Sequence, residues 1–214
     1  MKIAFIGGTG NLGLGLALRC ANAGFEILIG SRNAEKAKET EREILAKLPQ
    51  ASVTGSSNEV VAGLADLIVI ALPYAALIDT LPHIATQCSG KLVLDTTVPM
   101  KYGRPPVYQA PAAGSAGQEV ALMLPESQVV SGLHTMSAAS LSNLDYVLDS
   151  DALICGDDKD AKQTVIDVFS KFIPRIFDAG KLSNANAIER LTPLVISINQ
   201  IYKRGHVGIK LTNI

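Results

Sequence analysis

The chain has no tryptophan, and Phe and Tyr together bring its aromatic content to only 5%. Charge is scarce as well: 18% of residues are charged, and the two signs nearly cancel to a net −1. A nucleic-acid binder ordinarily carries a basic surplus, so no nucleic-acid partner is expected. No apolar run approaches the ~20 residues needed to cross a bilayer, so no membrane partner is expected either. The opening Met1–Ile6 is apolar, but Gly7 and Gly8 interrupt it. It is too short for a secretory leader, and a cytoplasmic protein is expected. Cys20, Cys88 and Cys155 are far apart in sequence. They form no CxxC pair for redox or metal chemistry and read as buried thiols in a reducing compartment, with no bound metal expected.

What the chain does have is apolar residues, at 48% of its 214 positions. That excludes disorder and is enough for a real core without staples. Apolar runs alternate with amphipathic stretches. Strands are expected at Lys2–Ile6, Glu26–Gly30, Ala51–Thr54, Leu67–Leu72, Lys91–Asp95, Gln128–Leu133, Ala152–Cys155 and Arg175–Phe177. Helices are expected at Asn11–Ala23, from Asn33 to about Leu48, briefly after a cap at Asn58, and from Tyr74 to about Gln87. Others are expected from about Ser115 to Leu124, from Asp157 to about Phe172, and from Ser183 to Arg204 with an interruption at Pro193. Such alternation predicts an α/β fold: a Rossmann-type, doubly wound parallel sheet covered on both faces. A small helical C-terminal extension should follow. We expect residues 1–125 to form the nucleotide-binding part and residues 126–214 a smaller part that completes a second-substrate site.

Gly8-Thr9-Gly10-Asn11-Leu12-Gly13 matches G-x-G-x-x-G between an expected strand and an expected helix, the context that the motif requires. Gly8 is expected to permit the tight turn, Gly10 to let the backbone approach a pyrophosphate, and Gly13 to let helix and strand pack closely. The start of the helix then offers free N–H groups to the anion. Ser31-Arg32 closes the second strand, where an NAD-binding chain carries Asp or Glu for the ribose 2′-OH. A hydroxyl, a guanidinium and Lys36 one turn later suit a 2′-phosphate, so NADP(H) is expected over NAD(H). Alternatively, Arg32 and Lys36 are solvated helix-start charges pairing with Glu35 and Glu39.

Leu72-Pro73-Tyr74 ends the fourth strand, at the carboxyl edge where ligands collect. By spacing alone it could equally be a packing turn. His134, in Leu133-His134-Thr135, is the one histidine of three that follows an apolar strand. It is either a site residue or a structural one. Met100, Met123 and Met136 read as packing.

These residues, with Gly15-Leu16-Ala17-Leu18-Arg19, Ile29-Gly30, Cys155-Gly156-Asp157-Asp158, Asp178-Ala179-Gly180, Leu182-Ser183-Asn184 and Leu191-Thr192-Pro193-Leu194, resemble the NADPH:coenzyme F420 oxidoreductases over nearly the whole chain. The chain departs from the family pattern at Tyr74, where the family has Trp, and over Thr96–Gln118. The resemblance implies hydride transfer between NADP(H) and the deazaflavin coenzyme F420, or a flavin. It implies pyrophosphate contacts from Thr9, Gly10, Asn11 and Leu12, and 2′-phosphate contacts from Ser31, Arg32 and Lys36. A deazaflavin site would be lined by Val98, Pro99, His134 and Thr135, with His134 orienting the ring rather than being obligate. Competing readings are an NADP(H) sensor without turnover, a flavin-linked ferric reductase, and an imine or carbonyl reductase with Tyr74 as proton donor. The apolar stripe of Ile188, Leu191, Leu194, Val195, Ile198 and Ile201 suggests a homodimer through the C-terminal helix.

Overall fold

A computed structural model describes all residues, Met1–Ile214. Ten strands and nine α-helices follow in the order β1 (Lys2–Ile6), α1 (Asn11–Asn22), β2 (Glu26–Ser31), α2 (Ala34–Lys47), β3 (Val53–Ser57), α3 (Asn58–Leu64), β4 (Leu67–Ile70), α4 (Leu77–Cys88) and β5 (Leu92–Asp95). Then come β6 (Met100–Lys101), β7 (Val107–Tyr108), α5 (Ala116–Met123), β8 (Gln128–Gly132), α6 (Ala138–Ser142), β9 (Ala152–Gly156), α7 (Lys159–Phe169), β10 (Ile176–Asp178), α8 (Ala185–Glu189) and α9 (Leu191–Tyr202).

Eight strands make one sheet in the order β10-β9-β8-β5-β4-β1-β2-β3. Alternation within the strands explains the layers. Ile3, Phe5, Ile27, Ile29, Leu67, Val69, Leu92 and Leu94 join one buried cluster with side chains of α1, α2, α6 and α7. Ala4, Ile6, Leu28, Ile68, Ile70 and Val93 join a second with α3, α4, α5 and α8. Successive side chains point to opposite faces, so strands that are apolar throughout must be covered on both.

Two strands depart from the parallel sheet that was expected, β9 and its parallel neighbour β10. β9 runs antiparallel to β8, pairing Gly132 with Ile154 and Val130 with Gly156. The connection explains this: α6 has only five residues, about 7.5 Å of rise. It keeps the chain at the carboxyl edge instead of carrying it back across the sheet. The 125/126 division lies between α5 and β8, and β8 pairs with β5 inside the same sheet.

The expected C-terminal helix is two helices, and the break is at Arg190 rather than Pro193. Pro193 is the third residue of α9, where a missing N–H costs nothing because first-turn donors have no intrahelical acceptor. Ser57, not Asn58, caps α3 by accepting from Val60 N–H. Tyr74–Ala76 is a separate 3₁₀ turn ahead of α4. A small β6–β7 hairpin arises within residues 99–118, where a loop was expected, and α6 lies in a stretch for which no element was expected.

Candidate functional site

The carboxyl ends of β1, β4, β5 and β8 border one cavity of about 470 Å³. Its walls come from the first turn of α1, the turn after β4, the segment after β5, the β6 strand, the segment after β8, and α9. Eight sequence-expected residues meet here: Gly10, Asn11, Leu12, Leu72, Pro73, Tyr74, Val98 and His134.

The glycine turn divides its work differently from the motif reading. Gly7, just ahead of the motif, takes the left-handed conformation at φ +79. A Cβ there would lie 2.7 Å from the Leu72 side chain. At Gly8 an added Cβ would lie 3.0 Å from Phe5, so Gly8 serves packing rather than the turn's handedness. Gly13 permits close approach, because its Cβ would lie 2.8 Å from the Gly7 carbonyl. Gly10 is different: the nearest atom to a Cβ would be 3.4 Å away, with open space beyond. Gly10 is also the N-cap of α1 and brings no capping side chain. First-turn N–H groups are thus left for a ligand oxygen, and the helix dipole favours an anion there.

Ser31 is buried at the end of β2 and accepts from Asn33 N–H at 3.1 Å. Arg32 and Lys36 are exposed at the start of α2. Neither pairs with Glu35 or Glu39; the ion pairs of α2 are Lys38–Glu41 and Lys47–Glu43. Two unpaired cations therefore stand beside the β2 edge, away from the cavity wall. Gly8, Thr9 and Gly13 also lie outside that wall, as do Pro99, which is buried, and Thr135.

Tyr74 lines the cavity, but its hydroxyl donates to Glu119 on α5 at 2.6 Å. Partial burial and that carboxylate push its pKa up to about 12. A proton so held is a poor one to deliver to a substrate.

His134 follows Leu133, a non-glycine residue at φ 62. This strained backbone turns the chain off the end of β8. His134 is 5% exposed, and its Nε2 lies 3.3 Å from Ser131 Oγ. Its Nδ1 has no partner. Burial pushes its pKa down to about 3, so the imidazole is neutral. Its carbonyl accepts from Thr192 Oγ1 at 3.0 Å, which ties the site to α9.

Behind His134 the structure gathers two carboxyl groups that sequence reasoning missed. One donor atom each of Asp95, His134 and Glu189 lie within 4.8 Å of one another, all buried. Such a set could hold a metal ion by composition. The hydrogen bonding describes something else. Both oxygens of Glu189 are already engaged, by Tyr108 Oη at 2.7 Å and by the N–H groups of Ala116 and Gly117. Glu189 thereby holds the first turn of α5. Asp95 Oδ1 accepts from Thr97 N–H and Oγ1, while Oδ2 has no partner. Complete burial pushes the Asp95 pKa up to about 8, against the Thr97 bonds that lower it and with help from the Glu189 charge. Asp95 thus keeps its proton near neutral pH, so the two carboxyl groups do not stand side by side as two negative charges. No local pattern could have united residues 95, 134 and 189.

Nine further wall residues were not singled out as site residues: Ala71, Thr96, Thr97, Met100, Tyr102, Met136, Ala138, Thr192 and Ile196. Met100 and Met136, read as packing, face the cavity. Thr192 lay within a motif already noted. Thr96 and Thr97 lay in plain view after a strand end, where ligand-contacting residues collect.

Comparison with known proteins adds a family. Residues 2–99 match the family described as NADP oxidoreductase coenzyme F420-dependent. The F420-dependent NADP reductase of Methanocaldococcus jannaschii is 37% identical, over 100% of this chain and 99% of its own. That of Methanothermobacter thermautotrophicus is 38% identical, over 100% and 96%. A crystal structure of a candidate F420 dependent NADP-reductase from Arthrobacter sp. fb24 superposes with a TM-score of 0.84, at 26% identity and full coverage of both chains.

Proposed function

The chain belongs to the coenzyme F420-dependent NADP oxidoreductases, and from that membership we infer its reaction: hydride transfer between NADP(H) and the deazaflavin F420. It is an NADPH-dependent oxidoreductase, and its small-molecule partners are these two coenzymes. The geometric observation that supports this best is the single cavity joining the uncapped start of α1 to His134 and Thr192. One wall suits a nucleotide pyrophosphate, and the opposite wall suits a planar, largely apolar ring.

Coenzymes supply the hydride chemistry themselves; the protein binds, orients and excludes water. We propose that the N–H groups of the Thr9–Leu12 turn hold the pyrophosphate, which fits the open space at Gly10. Ser31, Arg32 and Lys36 hold the 2′-phosphate, which fits their freedom from ion pairs. Leu72, Pro73 and Tyr74 flank the nicotinamide side. Val98 and His134 line the deazaflavin side, with Thr96, Thr97 and Thr192 added to that wall. The packed Pro99 and Thr135 support it from behind. Neutral His134 orients the ring by hydrogen bonding and moves no obligate proton. Glu119 retains the Tyr74 proton, which argues against an imine- or carbonyl-reductase role.

We further propose that residues 1–125 carry the NADP site and 126–214 complete the F420 site. The homodimer forms through α9, whose Leu194 is 54% exposed and whose Ile198 is half-exposed. Cytoplasmic residence accords with three buried free thiols, and no helix is long and apolar enough to cross a membrane. The test is turnover with NADPH or NADH against F420 or a free flavin. NADPH with F420 should be the fastest pair; a preference for NADH or for flavin would overturn the assignment.

A further inference from the structure

Charge is not spread evenly over this near-neutral chain. Residues 99–118 and 190–214 contain six Lys and Arg and not one Asp or Glu. The rest carries 13 Lys and Arg against 20 Asp and Glu. The fold brings the two acid-free segments together. Gln200 Nε2 donates to the Gly103 carbonyl at 3.0 Å, docking the tip of the β6–β7 hairpin on α9. Between them lies a cavity of about 640 Å³ lined by Arg104, Pro105 and residues of Ser197–Lys203.

This groove shares no lining residue with the redox cavity but lies between the same two elements. The same two elements wall both: Met100, Tyr102, Thr192 and Ile196 at one end, Arg104 and Lys203 at the other. From Thr192 to Lys203 the helix rises about 16 Å. Tyr102 stands at the junction and is 76% exposed. Lys101 beside Tyr102, and Arg104, Lys203 and Arg204 toward the far end, are exposed, and none enters an ion pair. The two remaining cations of these segments are occupied, Lys210 by Asp149 and Arg190 by the Tyr108 ring.

We propose that this groove binds the anionic tail of the deazaflavin substrate, a phosphodiester bearing carboxylates, while the ring lies in the redox cavity. The inference rests on the assignment of F420 as hydride partner and adds a second point of attachment to it. The chemistry is direct. The ring is common to the substrate and to an analogue without the tail, whereas the tail's phosphate and carboxylate oxygens take charge-assisted hydrogen bonds from Lys and Arg. Four free cations with no competing carboxylate also raise the local concentration of an anion. Such attachment holds the substrate without touching the reacting atoms, so it belongs to affinity rather than to the chemical step.

The experiment compares F420 with its ring-and-ribityl analogue, which lacks the phosphate and glutamates, at saturating NADPH. For the wild-type protein, KM for F420 should rise with ionic strength, and KM for the analogue should respond much less. In the double variant Arg104→Glu/Lys203→Glu, kcat/KM for F420 should fall by roughly 10- to 100-fold more than for the analogue, the scale of losing one or two charge-assisted contacts. The loss should lie in KM. Both residues are on the surface, and the analogue's rate reports whether the variant is folded. Equal losses for the two compounds, or a wild-type KM for F420 indifferent to salt, would overturn the tail site while leaving F420 as substrate. A wild-type protein that reduces neither compound would overturn the functional assignment, and the tail site with it.

Discussion

Two single residues carry the sharpest consequences for cofactor and pH. Arg32 is an unpaired guanidinium beside the β2 edge, so Arg32→Ala removes a partner that only a 2′-phosphate would have used. NADPH affinity should fall by roughly 1.5–3 kcal/mol, about 10- to 150-fold. NADH affinity should hardly change, and titration with both nucleotides checks this; equal losses would contradict it. Asp95 concerns stability. Its carboxyl keeps a proton to about pH 8 in the folded chain, against about 3.9 in an unfolded one. Folding therefore takes up a proton between those values. The stabilisation is complete below about pH 4 and is lost as pH rises through 8. Melting temperature should therefore decline between about pH 6.5 and 8, and Asp95→Asn should remove most of that decline. A variant with the wild-type slope would show that some other group titrates. His134 titrates in the opposite sense: burial holds its pKa at about 3 in the folded chain, against about 6.5 in an unfolded one, so its contribution grows as pH rises between those values and offsets the Asp95 slope below about 6.5.

Among elements, α1 and α6 form the junction that shapes the cavity's floor. Gly15 lets them approach, since a Cβ there would lie 2.8 Å from Leu141. Arg19, buried on α1, donates to the carbonyls of Ser140, Leu141, Asn143, Leu144 and Tyr146. It thereby satisfies the end of α6 and the following turn. Arg19→Ala strands several of those carbonyls and should cost roughly 3 kcal/mol. That is about 6–12 °C in melting temperature for a chain of this size, and calorimetry measures it. Lys should not rescue, because a point charge cannot replace the planar fork; full recovery in Arg19→Lys would contradict the clamp. The α1 junction also shows what could be read from sequence. The β1-turn-α1 unit was legible because its signals are local: an apolar strand, the glycine turn, then helical periodicity. The long strands and most helices were legible for the same reason. Segment 99–118 was not, because remote partners set its path, namely Gln200 against Gly103 and Glu189 against Tyr108. The reversed direction of β9 escaped because periodicity carries no direction. Asp95 and Glu189 were invisible as site residues until the fold placed them beside His134.

At the scale of the whole molecule, the charge distribution and α9 define two outer surfaces. Leu194 and the half-exposed Ile198 lie one turn apart on α9. We expect the protein to sediment as a dimer and Leu194→Glu/Ile198→Glu as a monomer; a wild-type protein of monomer mass would contradict that interface. The central claim concerns the cavity between the α1 turn and His134, where two coenzymes would meet face to face. It is tested most directly by isotope tracing. The protein is incubated without oxygen with oxidised F420 and NADPH carrying deuterium at the reactive face of nicotinamide C4, and reduced F420 is analysed by mass spectrometry. Direct transfer predicts one NADPH consumed for each F420 reduced and the deuterium retained on the deazaflavin carbon. Tight NADPH binding without F420 reduction, or reduction with the label lost to water, would contradict the account.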